Sequence, residues 1–377
     1  MALLYNKKYN NARKLRKLCY YLHRASRLHY FTKEPHERQL HARRVTRHAQ
    51  RQYHGNHPHI GSSGFKLLER SPAHYWAANV DPDRERKEPS RVMLMGTAWH
   101  TGIFEPDDFE RTYAAKPDIS AASTVAKLLD EALADMAAFA QKYVGIPDGI
   151  SKTSKEGKAL LAELAEGGKV GIEESKLAEV MELAPALEGK VLLSADDLAD
   201  VRAMVKAAQA HPITKVIMDQ PGGMAEASIF WVDPETGAPC RIRPDYAVPP
   251  CKMFPHGLII DGKSNDDSSP EGFARNARNS QMYYQAAFYS DGMQRLWQTK
   301  EPPAFMWLSQ ERDRPYATAY YAASGELVAY GRKKYRALLR VFARCLETGQ
   351  WPGYPTTVQS LELPTWAAKI VQDEVAA

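Results

Sequence analysis

The chain has 377 residues, 44% of them hydrophobic and 25% charged. That is the balance of a soluble globular protein with a real core and room for one large domain or two ordinary ones. No run approaches the roughly 20 apolar residues of a membrane span, and no signal-peptide core follows the basic N-terminus, so a cytoplasmic protein with no membrane partner is expected.

The net charge of +5 conceals an asymmetry: residues 1–60 carry 14 Lys and Arg against only Glu34 and Glu37, and the remainder carries 36 against 43. Eight of the 12 histidines also fall in the basic stretch. Such an arm suits a phosphate backbone, or is a solvated tail with no role. It shows some helical patterning around Leu15, Leu18, Tyr21 and Leu22. The breakers Gly55-Asn56-His57-Pro58-His59 close it, which divides the chain into an arm over 1–58, partly helical or disordered, and a body over 59–377. Cys19, Cys240, Cys251 and Cys345 are scattered, without a C-x-x-C pair. That pattern fits neither a disulfide framework nor a zinc ribbon nor an iron–sulfur site.

In the body, Ser62 or Ser63 is expected to cap a short helix through Leu68. A second helix is predicted over 92–104, around Gly96-Thr97-Ala98-Trp99-His100. Residues 120–143, 155–166, 175–188 and 194–210 carry Ala and Leu at helical spacing and offer no chemical constellation. The character changes at Met224. Ala225–Val232 and Cys240–Val248 read as two strands joined by the turn Asp233-Pro234-Glu235-Thr236-Gly237, a hairpin over 225–248. Gly257–Lys263 is a short buried strand. Pro270 opens a long helix through about Trp297. Strands over 304–310 and 316–322 and a helix over 326–348 complete an α/β core within 224–350, behind a helical N-terminal half.

Three polar residues on strands stand out. Asp245 follows Arg243-Pro244. Asp261 and Lys263 close the apolar run Leu258-Ile259-Ile260. Positions i and i+2 of a strand share a face, so Asp261 and Lys263 project together, and Asp245 joins them if the two strands pair. Two carboxylates and a lysine are what metal-assisted phosphodiester hydrolysis needs. The carboxylates hold Mg²⁺ while leaving positions for water and phosphate. The lysine stabilises developing charge or helps deprotonate the attacking water. Alone, a D-x-K string is more often an ordinary ion pair. Gln281, Gln285 and Tyr289 fall at i, i+4 and i+8 of the following helix, on one face. Gly96-x-x-x-His100 sets an imidazole one turn beyond a small residue, and Glu226 is a further carboxylate on the first hairpin strand.

In order, Gly96-x-x-x-His100, Glu226, Arg243-Pro244-Asp245, Asp261-x-Lys263 and Gln285-x-x-x-Tyr289 resemble the motif series of PD-(D/E)xK nucleases of the RecB type. The wider text resembles the RecE-type exonucleases, exodeoxyribonuclease VIII. It does so at Ser71-Pro72-Ala73-His74-Tyr75, Asp233-Pro234-Glu235-Thr236-Gly237, Gln285 to Gly292 and Leu363-Pro364-x-Trp366-Ala367, from about residue 60 to 370. The resemblance implies a restriction-endonuclease-like core, a mixed central sheet flanked by helices. It implies His100, Asp245 and Asp261 as metal ligands with the Gly262 carbonyl and, less closely matched, Glu226. Lys263 becomes the catalytic lysine, with Gln285 and Tyr289 supporting the site and touching DNA. Mg²⁺ is the implied cofactor, with Mn²⁺ able to substitute.

The implied activity is digestion of linear double-stranded DNA from its ends, 5′ to 3′, leaving a 3′ strand for a single-strand annealing protein in phage-type recombination. The implied assembly is a ring of identical chains. Ser63, Lys66, Arg70 and Arg91 fall where the family pattern would hold the DNA 5′ end. The chain departs from the pattern at Gly262, where a bulkier apolar residue is usual, and glycine there frees the backbone that should face the metal. Two other readings remain: another nuclease of the same chemistry, such as an endonuclease or repair nuclease, and a non-catalytic DNA-binding protein that uses the basic arm. No G-x-x-x-x-G-K-[ST] string is present to supply a helicase.

Overall fold

The computed structural model describes residues 59–84, 88–119, 123–135, 139 and 174–364, with one further strand at 41–43. In chain order the first half gives β1 (His41–Arg43), α1 (Ser62–Arg70), α2 (Pro72–Asn79), α3 (Arg91–Phe104), α4 (Pro106–Thr112), β2 (Tyr113–Ala115), α5 (Thr124–Ala134), α6 (Glu174–Leu187), β3 (Val191–Leu193), α7 (Ala195–Ala210) and α8 (Pro212–Met218). The second half gives β4 (Met224–Ala225), β5 (Ser228–Val232), β6 (Pro239–Ile242), β7 (Tyr246–Val248), β8 (Leu258–Asn265), α9 (Pro270–Asn279), α10 (Tyr283–Trp297), β9 (Ala304–Glu311), β10 (Thr318–Ala322) and α11 (Gly325–Thr348). No described helix is long and apolar enough to cross a membrane.

The main sheet has the order β10-β9-β8-β7-β4. Its central pair, β8 and β9, is parallel and the other pairs are antiparallel. A parallel pair needs a crossover, here α9 and α10. Both faces of this sheet are covered, which suits the unbroken apolar run of β8. Ile259, Phe305 and Trp307 face a core shared with α1, α10 and α11. Leu258, Ile260 and Leu308 face a second core shared with α3 and α7. Leu258, Ile259 and Ile260 are at most 1% exposed, and their burial contributes roughly 5–8 kcal/mol together. A one-residue slip would exchange the two faces, so this burial fixes the register of the polar residues that follow.

Helix starts follow the chemistry of their caps. Ser90, Ser194, Ser269 and Ser324 each accept from a backbone N–H in the first turn of α3, α7, α9 and α11. Gly349, at φ 68°, closes α11. Helix α1 differs from expectation: its N-cap is Gly61, with no side-chain cap, and both serines lie inside the helix.

Two further expectations are corrected. The helix predicted from Pro270 to Trp297 is broken between Asn279 and Tyr283, with Gln281 left-handed at φ 50°. At that break α11 passes so close that a Cβ on Gly331 would lie 2.1 Å from the Tyr283 carbonyl oxygen. The hairpin over 225–248 is divided between two sheets. β5 pairs with β6 on one side and with β1 on the other in a three-stranded sheet, while β4 and β7 join the main sheet. Glu226, at φ 48°, and Pro244 mark the points of departure. The chain also forms α2, α4 and the parallel pair β2–β3, none of them anticipated. The expected helix over 155–166 lies outside the described residues.

Candidate functional site

Strand β8 runs antiparallel to β7, with Tyr246 opposite Ile260. One further step of that register sets Asp245 across from Asp261. The Gly262 N–H donates to Asp245 Oδ2 over 2.7 Å, tying the two strand ends together. On the other side His100 Nδ1 lies 3.0 Å from the same oxygen. Helix α3 delivers that imidazole through its neighbour Trp99, which is fully buried. The Trp99 indole N–H donates to Gln310, itself fully buried, whose amide donates to the carbonyls of Met204 at 3.0 Å and Tyr316 at 3.1 Å.

Gly262 faces α3. A Cβ there would lie 2.9 Å from Trp99 Cζ3 and 3.2 Å from His100 Cε1. The residue keeps an ordinary strand backbone, so the added freedom that glycine brings to a departure from the family pattern is not used. Glycine is needed for space, because Trp99 fills the volume that a side chain at 262 would occupy.

Asp261 and Lys263 project from the opposite face of β8, toward α10. The Lys263 ammonium contacts Asp261 Oδ2 and the Gln285 amide donates to Oδ1, so both carboxylate oxygens are held. Asp261 is 2% exposed, whereas the Lys263 side chain keeps 27% of its surface in solvent. The Lys263 carbonyl accepts from Asn265 Nδ2 at 3.0 Å, and the same amide donates to buried Ser309 at 2.7 Å.

Of the Gln281, Gln285 and Tyr289 stripe, Gln285 reaches the carboxylates, at Asp261. Gln281 lies in the break before α10 and donates instead to Glu69 of α1. Tyr289 is buried one turn beyond Gln285, with its ring 6.3 Å from that of Phe305. Arg91, grouped by sequence with Ser63, Lys66 and Arg70, is bound to Asp197 of α7. Lys66, on α1, senses Lys263 and Asp261 electrostatically.

Glu226 approaches along β4, its N–H donating to the Asp245 carbonyl at 3.0 Å. Ligand atoms of His100, Glu226 and Asp245 all lie within 4.8 Å of one another. Arg243 Nε forms an ion pair with Glu226 Oε2 at 2.8 Å, and that buried oxygen accepts no hydrogen bond among the described residues. Burial, then the nearby Asp245 charge, pushes the Glu226 carboxyl up to about 7. Burial likewise pushes Asp261 up to about 6, against the pull of Lys263. Burial also opposes charge on His100 and Lys263, yet the adjacent carboxylates win and both bases titrate above their ordinary values. Asp245 is the reverse case: burial would raise it, but His100, Lys263 and the Gly262 N–H hold it below the usual carboxylate range.

An imidazole and carboxylates crowded in a buried space, one oxygen lacking a donor, make a donor set suited to a hard divalent cation. Such a cation would offset the burial, and the lesser repulsion by Asp245, that raise Glu226 and Asp261. Gln310 and Asn265 were missed by sequence reasoning. The one available signal was an amide after the apolar run of the strand Ala304–Gln310, and a strand-end amide has many uses.

No curated protein sequence matches the chain. Among solved structures, a proposed exonuclease from Eubacterium rectale is similar with a TM-score of 0.43 and 10% identity, over 83% of this chain and 96% of that one. The protein SSO0001 is similar with a TM-score of 0.23 and 11% identity, over 51% of this chain and 88% of that one. A family model matches from residue 61 to residue 364, through every residue of the cluster around Asp245 and Asp261, and by it the chain belongs to the family described as the PDDEXK-like domain of unknown function (DUF3799).

Proposed function

We propose that this protein is a divalent-metal-dependent nuclease of the RecE type, which digests linear double-stranded DNA from its ends. The observation that carries the reading is the placement of Asp245, just before β7, across from Asp261 within β8, with Lys263 on the Asp261 face and Gln285 reaching Asp261 from α10. His100, Glu226, Asp245 and Asp261, with the Gly262 carbonyl, would hold Mg²⁺, or Mn²⁺ in its place. When bound, the cation polarises the phosphoryl oxygen and makes a hydroxide available near neutral pH.

The chain's own residues do the rest. Lys263, an ammonium beside the carboxylates, stabilises charge that develops on the phosphoryl group. Gln285 fixes the Asp261 carboxylate in one rotamer, so an oxygen keeps its direction through the reaction. His100 is oriented by Trp99 and Gln310, and Glu226 supplies the oxygen that no donor satisfies. Tyr289 backs Gln285 from the core. Digestion from 5′ to 3′, a ring of identical chains, and a single-strand annealing partner that takes the 3′ strand for recombination rest on the motif resemblance.

Linear duplex labelled at one 5′ or one 3′ end tests the reading, with Mg²⁺ or EDTA, for the wild type and Lys263→Ala. Mg²⁺-dependent release of mononucleotide from the 5′ label, lost in the variant, is the expected result. A supercoiled circle should stay intact, and nicking of the circle would turn the assignment to an endonuclease. A folded wild-type chain that leaves both substrates untouched would remove the nuclease reading.

A further inference from the structure

The outer face of α9 has no role in the site described above, yet the helix is bolted to the strand that carries Lys263. Its inner face is buried at Gly272 and Phe273, and Phe273 stacks on Tyr321 with ring centroids 4.4 Å apart. Between them the fastening is polar. Asn276 donates to the Asn265 side-chain oxygen, and Asn265 in turn holds the Lys263 carbonyl and Ser309. Ser268 and Ser309 share a hydrogen bond of 2.7 Å behind them. Asn265, Ser268 and Ser309 are all at most 6% exposed. A buried network with its partners satisfied makes a stiff joint, so α9 keeps a fixed offset from Lys263.

Arg275, Arg278 and Asn279 then point to solvent. Most arginines on the neighbouring elements are tied to carboxylates: Arg312 to Asp266, Arg332 to Asp291, and Arg336 and Arg340 to Glu235. Among the described residues Arg275 and Arg278 form no ion pair. Across the break at Gln281, α1 presents Lys66 and Arg70, exposed and also without ion pairs among the described residues. The acid between these groups, Glu69, is neutralised by Lys334 and bound by Gln281. Glu271, in the first turn of α9, is the one exposed acid on the helix itself.

We propose that α9 is a phosphate-backbone clamp for duplex DNA, with Arg275 and Arg278 as its contacts and the Asn276–Asn265 joint holding them in register with Lys263. The proposal rests on the nuclease reading and names the surface that seats its substrate. Residues i and i+3 of a helix have Cβ atoms about 5–6 Å apart, the scale on which phosphates succeed one another along a strand. Arginine suits the role because its fork binds phosphate oxygens in pairs. Contacts of this kind position DNA without reading sequence.

The test is binding of a fluorescein-labelled 20-base-pair duplex by the full chain in EDTA, followed by anisotropy across a salt series. Arg275→Ala/Arg278→Ala should bind roughly 10–100-fold more weakly, and the slope of log affinity on log salt should fall by about 2, near 0.9 per phosphate contact. Arg275→Lys/Arg278→Lys should recover the slope, which a merely misfolded variant would not. Lys206→Ala/Lys215→Ala removes two exposed charges on α7 and α8, packed against the other face of the sheet, and should leave the slope unchanged. Equal losses in the two alanine pairs, or unchanged binding in Arg275→Ala/Arg278→Ala, would overturn the clamp while a wild type that digests DNA keeps the nuclease reading. A wild type that neither binds nor cuts DNA would overturn both.

Discussion

Replacing Gly262 by alanine inserts a methyl group where α3 already packs. The new Cβ would stand 2.9 Å from Trp99 Cζ3 and 3.2 Å from His100 Cε1. Favourable carbon–carbon contact begins near 3.5 Å, so the shortfall against the indole is about 0.6 Å. Trp99 cannot swing away, because it is fully buried and its ring N–H is bound to Gln310. The strain therefore passes to the α3–β8 contact and to His100, whose side chain is 25% exposed and has room to move. Overpacking of this kind costs about 1–3 kcal/mol. Displacing His100 from Asp245 should also weaken Mn²⁺ binding by about tenfold, the lower end of what disturbed ligand orientation costs. Urea unfolding followed by circular dichroism reads the first effect and titration calorimetry with Mn²⁺ the second. The decisive experiment is a double-mutant cycle with Trp99→Phe, which removes the ring atoms that the methyl group meets. Gly262→Ala should then cost at least 1 kcal/mol less in the Trp99→Phe background than in the wild type. Equal costs in the two backgrounds would refute the claim that Trp99 makes glycine necessary at 262.

Gln285→Leu removes the amide that holds Asp261 Oδ1 and should lower cleavage by about 10–100-fold with little change in thermal stability; a variant as active as wild type would remove Gln285 from the site. Glu226→Gln takes one carboxylate from the donor set and should weaken Mn²⁺ binding by about 10–100-fold in calorimetry, while unchanged affinity would place the cation elsewhere. Arg336→Ala leaves Asp233, 1% exposed, with only Arg295 at 3.7 Å as a cationic partner, and should cost about 3 kcal/mol at neutral pH. Against burial, Arg336 and the hydrogen bonds from Thr236 together hold Asp233 below its ordinary range. In the wild type this stabilisation is complete above about pH 4 and is lost as pH falls through the lowered folded value, so the gap between the two proteins should narrow on acidification below about pH 4. A gap that stays constant down to pH 3 in urea titrations would show that the ion pair is not its source.

The parts of the fold that were legible in the sequence are those in which one segment decides its own fate. The apolar run Leu258-Ile259-Ile260 buries two faces wherever it is placed, so its strand character and the shared face of Asp261 and Lys263 follow from alternation alone. Helices α3, α7 and α11 announce themselves by a serine cap and helical spacing. The break at Gln281 could not be read, because its cause lies 50 residues away, in the passage of Gly331 over the Tyr283 carbonyl. Division of the 225–248 hairpin between two sheets escaped for a related reason. Local pattern gives two strands and a turn, but which sheet each half joins depends on β1 and β8 as neighbours.

The same distinction separates the catalytic candidates from the residues that place them. Asp245, Asp261 and Lys263 stand out because charged groups beside a buried apolar strand run are rare without a task. Gln310, Asn265 and the small size of residue 262 carry no comparable mark. Each is determined by a partner on another element: Trp99 on α3, Asn276 on α9, and Trp99 again. Positioning groups of this kind are common residue types in common places. A motif search that expects a bulky residue between Asp261 and Lys263 counts Gly262 as a defect, although the volume there is filled from the helix side. What holds the site together is the total occupancy of that space, by the strand residue or by the helix residue facing it, and a substitution at one position is tolerable only with its complement at the other.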